Sequence, residues 1–216
     1  MDTKKRNNNT PGIVFSFDDR TYEQWEKQLD LFSKYNTKVT FFVTDDSVTN
    51  FMLKAQDRGH EIGYHTITHP HLSELSKEEF YKETISCIGL FKDAGIELTS
   101  FAYPFGDFQP WMHDELLKYY KILRGFDSFI HYTLDEMKSG FVISASIDAI
   151  NHQQEEIFQK NINDMLQSAV DSRKIINLTT HEISDYEWGI TPERLEYFLK
   201  KCREYGLTFY TYKDLQ

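Results

Sequence analysis

The sequence predicts a single-domain α/β fold whose parallel strands close, or nearly close, into a barrel. Three observations carry this. Short apolar runs alternate with segments of helical periodicity along almost the whole chain, the pattern of a parallel sheet covered by helices. A length of 216 residues suits one α/β unit. Polar residues of catalytic type recur just after the apolar runs, at the strand ends where such folds collect function.

Taken in order, residues 13–17 form an apolar run that ends at Asp18 and Asp19, as expected of a buried parallel strand. Residues 22–35 place Trp25, Leu29 and Phe32 at helical spacing, and VTFFV (39–43) returns to a strand pattern, completing a β-α-β unit. Residues 51–58 read as a helix stopped by Gly59, and 60–64 as a third strand that runs into GYHTITHPHLSEL. Ser76 and Glu79 have capping-box spacing and open a helix predicted to reach about Asp93. Residues 98–103 are the next strand, closed by Pro104-Phe105-Gly106; a helix over 110–120 and a short strand over 122–124 follow. The series continues with a strand over 141–147, a helix over 155–172, a strand over 174–179, a helix over 191–205 capped by Thr191, and a strand over 207–210.

Composition narrows the partners. The formal charge of −10 argues against nucleic acid or an anionic membrane surface, since phosphate affinity needs clustered Lys and Arg. Aromatic residues reach 15%, enough for a packed core and for a sugar-binding cleft besides. The two cysteines, Cys87 and Cys202, are too few for a disulfide framework and read as buried reduced thiols. There is no apolar run of roughly 18 residues to span a membrane, and the opening MDTKKRNNNTPG carries no apolar stretch of signal-peptide type. Residues 1–10 are therefore expected to be a disordered lead to one domain over 11–216, in a cytoplasmic protein unless a signal has been removed. Oligomeric state is not readable.

The strand ends bring together Asp18 and Asp19, His65 and His69, Tyr103 to Gly106, and His181. A carboxylate with two imidazoles suits a hydrolytic zinc, and the same set accepts cobalt, manganese, nickel or iron. His65 and His69 are four apart, so on one helical turn they would share a face and hold a single ion. Adjacent aspartates at a strand end point in different directions, so one can ligate while the other serves as base. His60, His71, His113, His131 and His152 read as surface or structural residues.

SFDD (16–19), HTITH followed by PHLSEL, YPFG (103–106) and the ending from LTTHEIS to YTYKDL together resemble the polysaccharide deacetylases of carbohydrate esterase family four, over about residues 11–216. The resemblance implies a distorted (β/α) barrel with about seven parallel strands and metal-dependent removal of acetyl from an N-acetylated sugar. It also implies roles: Asp19, His65 and His69 as metal ligands, Asp18 as general base, His181 as general acid, and the Phe105 N–H as oxyanion donor. Thr66 would brace the loop, and Asp148, in SASIDAI, is the candidate to orient His181, with a plain turn residue as the alternative. Many members carry an arginine where this chain has Ala102; Arg124, at the end of the neighbouring predicted strand, is the candidate replacement. Tyr103, Pro104 and Trp188, within the aromatic segments 103–111 and 186–188, are candidate walls for a carbohydrate substrate. Two alternatives stay open: hydrolysis of a cyclic or ureide-type C–N bond on the same scaffold, and an inactive metal- or sugar-binding domain.

Overall fold

The structure, a computed structural model, describes residues 10–216; most of the predicted lead lies outside them. Nine strands form one sheet: β1 (Gly12–Asp19), β2 (Thr40–Val43), β3 (Glu61–Tyr64), β4 (Ser100–Ala102), β5 (Ile122–Phe126), β6 (His131–Tyr132), β7 (Phe141–Ser146), β8 (Ile175–Thr180) and β9 (Thr208–Tyr210). Parallel pairing runs β1-β2-β3-β4-β5-β7-β8 and returns from β8 to β1, so seven strands close a barrel, as predicted.

The distortion lies at two seams. β1 meets β2 only from Ser16 onward, and β9 takes the same edge of β1 over Gly12 to Val14. On β8, likewise, β7 pairs only at Leu178 and Thr179, while β6 pairs antiparallel at Ile175 and Ile176. Each short strand supplies partners where two barrel strands diverge, leaving no open edge there. β6 was not predicted, because two residues hold no periodicity to read.

Alternation along the strands sorts two cores. Ile13, Phe15 and Phe17 of β1 point out to the helices, among Trp25, Phe32, Phe41 and Phe198, all fully buried. Val14 points into the barrel with Phe42, Ala102, Ile122, Val142 and Ile175, where Tyr212 and Leu215 of the chain's end plug the lower mouth. Tyr212 donates its hydroxyl to Asn177 at 2.7 Å, and Glu61 accepts from Ser100 at 2.6 Å, Thr40 at 2.9 Å and the Lys213 N–H at 2.8 Å. These bonds satisfy polar groups that the interior would otherwise strand.

Helices cover the outside. The Ser76–Glu79 capping box is present, with Ser76 Oγ accepting from the Glu79 N–H and the Glu79 carboxylate reaching back to the Ser76 N–H at 2.9 Å. Two predicted helices are broken: 22–35 divides at Gln28 into Tyr22–Lys27 and Leu29–Lys34, and the one from Ser76 divides near Cys87 into Lys77–Ile85 and Ile88–Asp93. Neither break carries the proline or glycine that would announce it. Cys87 and Cys202 are buried and free, as expected. Among the described residues no helix is long and apolar enough to cross a membrane.

Candidate active site

The inward series of β1 ends at Asp18, whose side chain crosses the barrel to an ion pair with Arg124 of β5. Both side chains are buried, with 4% and 2% exposed, and the guanidinium lies over the Phe42 ring at 5.1 Å. Burial alone would push the Asp18 carboxyl up; Arg124, helped by His65 and His181, overcomes this and holds it below the usual range. Ala102 and Arg124 are direct neighbours in the β4–β5 register. The guanidinium that meets Asp18 thus stands on the strand beside Ala102, at the same level.

Asp19, the last residue of β1, turns away from Asp18 because its backbone is left-handed (φ 88°). Its Oδ1 stands 3.3 Å from His69 Nε2 and 3.7 Å from His65 Nε2, and the two Nε2 atoms are 3.1 Å apart. Tetrahedral coordination at bond lengths of about 2.0–2.2 Å sets ligand atoms roughly 3.3–3.6 Å apart, so the donor set fits one divalent ion. Asp19 Oδ1 is buried with no hydrogen bond from the protein, as a ligand oxygen would be. His65 Nδ1 donates to the Ala102 carbonyl at 2.8 Å, which fixes the tautomer and leaves Nε2 with its lone pair. Burial drives the His65 pKa down to about 3, so the ring is neutral as a ligand must be.

The two histidines do not share a helical turn, contrary to the prediction from their spacing. Residues 65–71 are a loop, and Thr66 (φ 71°) and His69 (φ 60°) both adopt left-handed backbone. Thr66 Oγ accepts the His69 N–H at 3.0 Å, the bracing expected of it. The ligand atoms meet because the loop folds back, and Pro70 then leads the chain away.

His181 follows β8, and its Nδ1 lies 2.7 Å from an Asp148 carboxylate oxygen. Asp148 is 1% exposed and also accepts from Ser146 Oγ at 2.7 Å and from the Thr180 hydroxyl. Asp148 thus stands within hydrogen-bond reach of His181, and it also ties the local turn, its own N–H donating to Ser146 Oγ at 2.9 Å. Trp25 Nε1 donates to the His181 carbonyl at 2.8 Å. Burial works against the imidazolium, but the Asp148 hydrogen bond and the charges of Asp18, Asp148 and Asp19 prevail and raise the pKa to about 9.

Phe105 has a left-handed backbone (φ 58°) and is 56% exposed as a residue. The ring stacks on His71 at 4.1 Å and takes the edge of His69 at 4.5 Å. His71, read from sequence as an ordinary loop residue, is thus packed on the predicted oxyanion residue. The other histidines are structural as read: His60 accepts the Val39 N–H at 3.2 Å, His113 meets the Tyr103 hydroxyl at 3.2 Å, His131 meets Ser168 at 2.9 Å, and His152 meets the Glu187 carbonyl at 2.9 Å.

Asp18, Asp19, His65, His69, Arg124 and His181 all line one pocket of about 420 Å³, walled by Tyr103, Phe105, Tyr186 and Trp188. Pro104 is a correction: it is buried beneath the turn and does not line the pocket. Phe126 and Glu182 do line it and were missed. Glu182 was signalled only by standing next to His181, and Phe126 only by ending β5.

The polysaccharide deacetylase family model matches residues 5–121. A peptidoglycan-N-acetylglucosamine deacetylase of Bacillus cereus is 31% identical over 81 residues, which are 36% of this chain and 30% of the relative. The matched segments span 30% or less of the length of the curated relatives. Likeness of fold extends much further. The Xyl-CE4 domain of a multidomain xylanase from the hindgut metagenome of Trinervitermes trinervoides superposes with a TM-score of 0.69 at 18% identity, covering 95% of this chain and 89% of that one. The chitin deacetylase of Colletotrichum lindemuthianum gives 0.67 at 17% identity, covering 95% and 88%. The family match alone takes in more than half of the sequence and the shared fold runs through nearly all of it, so this chain belongs to the polysaccharide deacetylase family.

Proposed function

We propose that this protein is a metal-dependent amidohydrolase that removes acetyl groups from an N-acetylated amino sugar within a glycan. One observation carries the reading: the convergence of Asp19, His65 and His69 beside the Asp18–Arg124 and Asp148–His181 pairs in a single pocket. Asp19, His65 and His69 would hold the ion, zinc by preference, and the chemistry it supplies when bound is Lewis-acid polarisation of the carbonyl and acidification of water.

The chain's own groups then divide the proton work. Asp18, kept ionised by Arg124, takes the proton of the attacking water as its oxygen adds to the acetyl carbon. The Phe105 N–H is the donor assigned to the oxygen that gains charge as the carbonyl becomes tetrahedral. His181, kept protonated by Asp148, delivers a proton to the nitrogen as the C–N bond breaks, releasing acetate and a free amine. Two groups of opposite protonation state at neutral pH, in one pocket, are what an acid–base pair requires.

The exposed rings of Tyr186 and Trp188 offer faces on which a pyranose can stack. Two of the named relatives are a peptidoglycan-N-acetylglucosamine deacetylase and a chitin deacetylase, which supports N-acetylglucosamine units as the substrate class. The test is acetate release from acetylated oligosaccharides together with metal analysis. Asp18→Asn is expected to retain metal and lose turnover, while His65→Ala loses both. Bound metal with no acetate from any such substrate, or turnover confined to small cyclic amides, would overturn the reading.

A further inference from the structure

We infer that Glu83 is the positioning residue of the metal centre, holding the turn between His65 and His69 in the shape that brings both imidazoles to Asp19. This rests on the reading of those two histidines as ligands. Glu83 stands on the helix Lys77–Ile85, is 9% exposed, and does not line the pocket. One carboxylate oxygen accepts the N–H groups of Ile67 at 3.0 Å and Thr68 at 2.9 Å; the other accepts the Thr68 hydroxyl at 2.9 Å. Every residue strictly between Thr66 and His69 is therefore bonded to this one side chain.

The turn needs such a partner. Thr66 and His69 flank it in left-handed backbone, a conformation that non-glycine residues hold only when their surroundings impose it. Without Glu83, the turn's two consecutive N–H groups would compete for water or let the loop relax toward extended backbone. A buried carboxylate answers both donors at once, with charge-assisted bonds stronger than a neutral acceptor would make. It stands on a helix whose start is closed by the Ser76–Glu79 capping box. Relaxation of either left-handed residue would swing an imidazole off the common point, so Glu83 acts on the ion through the loop rather than by contact.

Zinc affinity of the metal-free protein, measured by competition with a chromogenic chelator, tests this without reference to turnover. Glu83→Ala is expected to weaken zinc binding on the order of 10- to 100-fold, the range typical of groups that orient ligands. Glu83→Gln is the rescue variant: its amide oxygen can accept both N–H groups and its NH2 can donate to Thr68 Oγ, so affinity should stay within a few fold. Should Glu83→Ala not fold, Glu83→Asp takes its place, one methylene too short to span the turn, with the same weakening expected. Zinc affinity within about twofold of the parent in the alanine or aspartate variant, or equal loss in glutamine and alanine, overturns the inference. A parent protein that takes up no zinc would instead remove the ligand reading itself.

Discussion

Replacing Arg124 with alanine breaks the ion pair with Asp18, which spans the barrel. Its two side chains are 2% and 4% exposed, so it is a buried pair, and breaking such a pair costs about 3–5 kcal/mol where a surface pair would cost about 0–1. At about 2–4 °C per kcal/mol for a domain of this size, the melting temperature should fall by about 6–20 °C. The catalytic effect is separate. Without the guanidinium, burial is left as the dominant influence on Asp18 and its carboxyl rises. A depressed carboxylate contributes stability above its unfolded pKa of about 3.9 and loses it as pH falls through the folded value, so the variant's deficit is largest near neutrality and shrinks in acid. Asp18, as the proposed base, is protonated over a wider range, the acid limb of the kcat–pH profile moves to higher pH, and kcat at pH 7 drops by about 100-fold or more, the usual contribution of a positioned base. Acetate release against pH, with thermal melts on the same preparations, measures all three. A kcat within about threefold of the parent, with an unmoved acid limb, would refute the assignment of Arg124.

Asp148→Asn should draw the alkaline limb down. His181 must carry its proton to act as acid, so activity persists through neutrality and falls as pH rises through about 9, or lower once an ion adds its positive charge nearby; the variant should lose about one pH unit of that range, read from the pH–rate profile. The stability linked to the His181 proton is complete below about pH 6.5 and is likewise lost as pH rises through about 9. His71→Ala removes the ring stacked on Phe105 and should lower kcat roughly 2- to 10-fold with KM unchanged, while His71→Phe restores it; a rise in KM alone would show that the stack serves the substrate instead. Trp188→Ala should raise KM by a similar factor with kcat nearly intact, since its ring is 54% exposed at the pocket wall; a collapse in kcat would contradict a role confined to binding.

Candidate residues in short motifs at strand ends were legible, and so were Arg124 and Asp148 as candidate partners across the fold; Glu83, Phe126 and Glu182 were not. Asp18, Asp19, His65 and His69 sit in short local patterns at strand ends, and parallel topology brings strand ends together whatever the intervening sequence. Barrel closure followed from alternation, but its two seams did not, because β6 and β9 are placed by the divergence of other strands. The helical reading of HTITH failed for a local reason: the spacing fits a helix, yet Pro70 disfavours helical backbone at His69, and two left-handed residues shape the loop instead. Glu83 was invisible, since its three bonds reach back 15 and 16 residues to a turn whose shape the sequence did not reveal. Asp148, 33 residues before His181 in the chain, is brought within 2.7 Å of it only by the fold.

The Arg124–Asp18 pair shows a geometric constraint on the site. An ion pair needs its charges at a given depth and heading, and a barrel offers that depth on every strand. Ala102 and Arg124 lie side by side in register, one strand spacing of about 4.8 Å apart, a distance that a side chain of arginine's length spans by choice of rotamer. The guanidinium can therefore start from either strand and still meet Asp18, provided the vacated position stays small. Ala102 is small, and its carbonyl keeps a second duty in orienting His65. The double variant Ala102→Arg, Arg124→Ala should accordingly recover much of the turnover that Arg124→Ala loses, and should return the acid limb toward its original pH. If it recovers neither, the level of the charge is not sufficient and the approach from β5, over the Phe42 ring, is itself required.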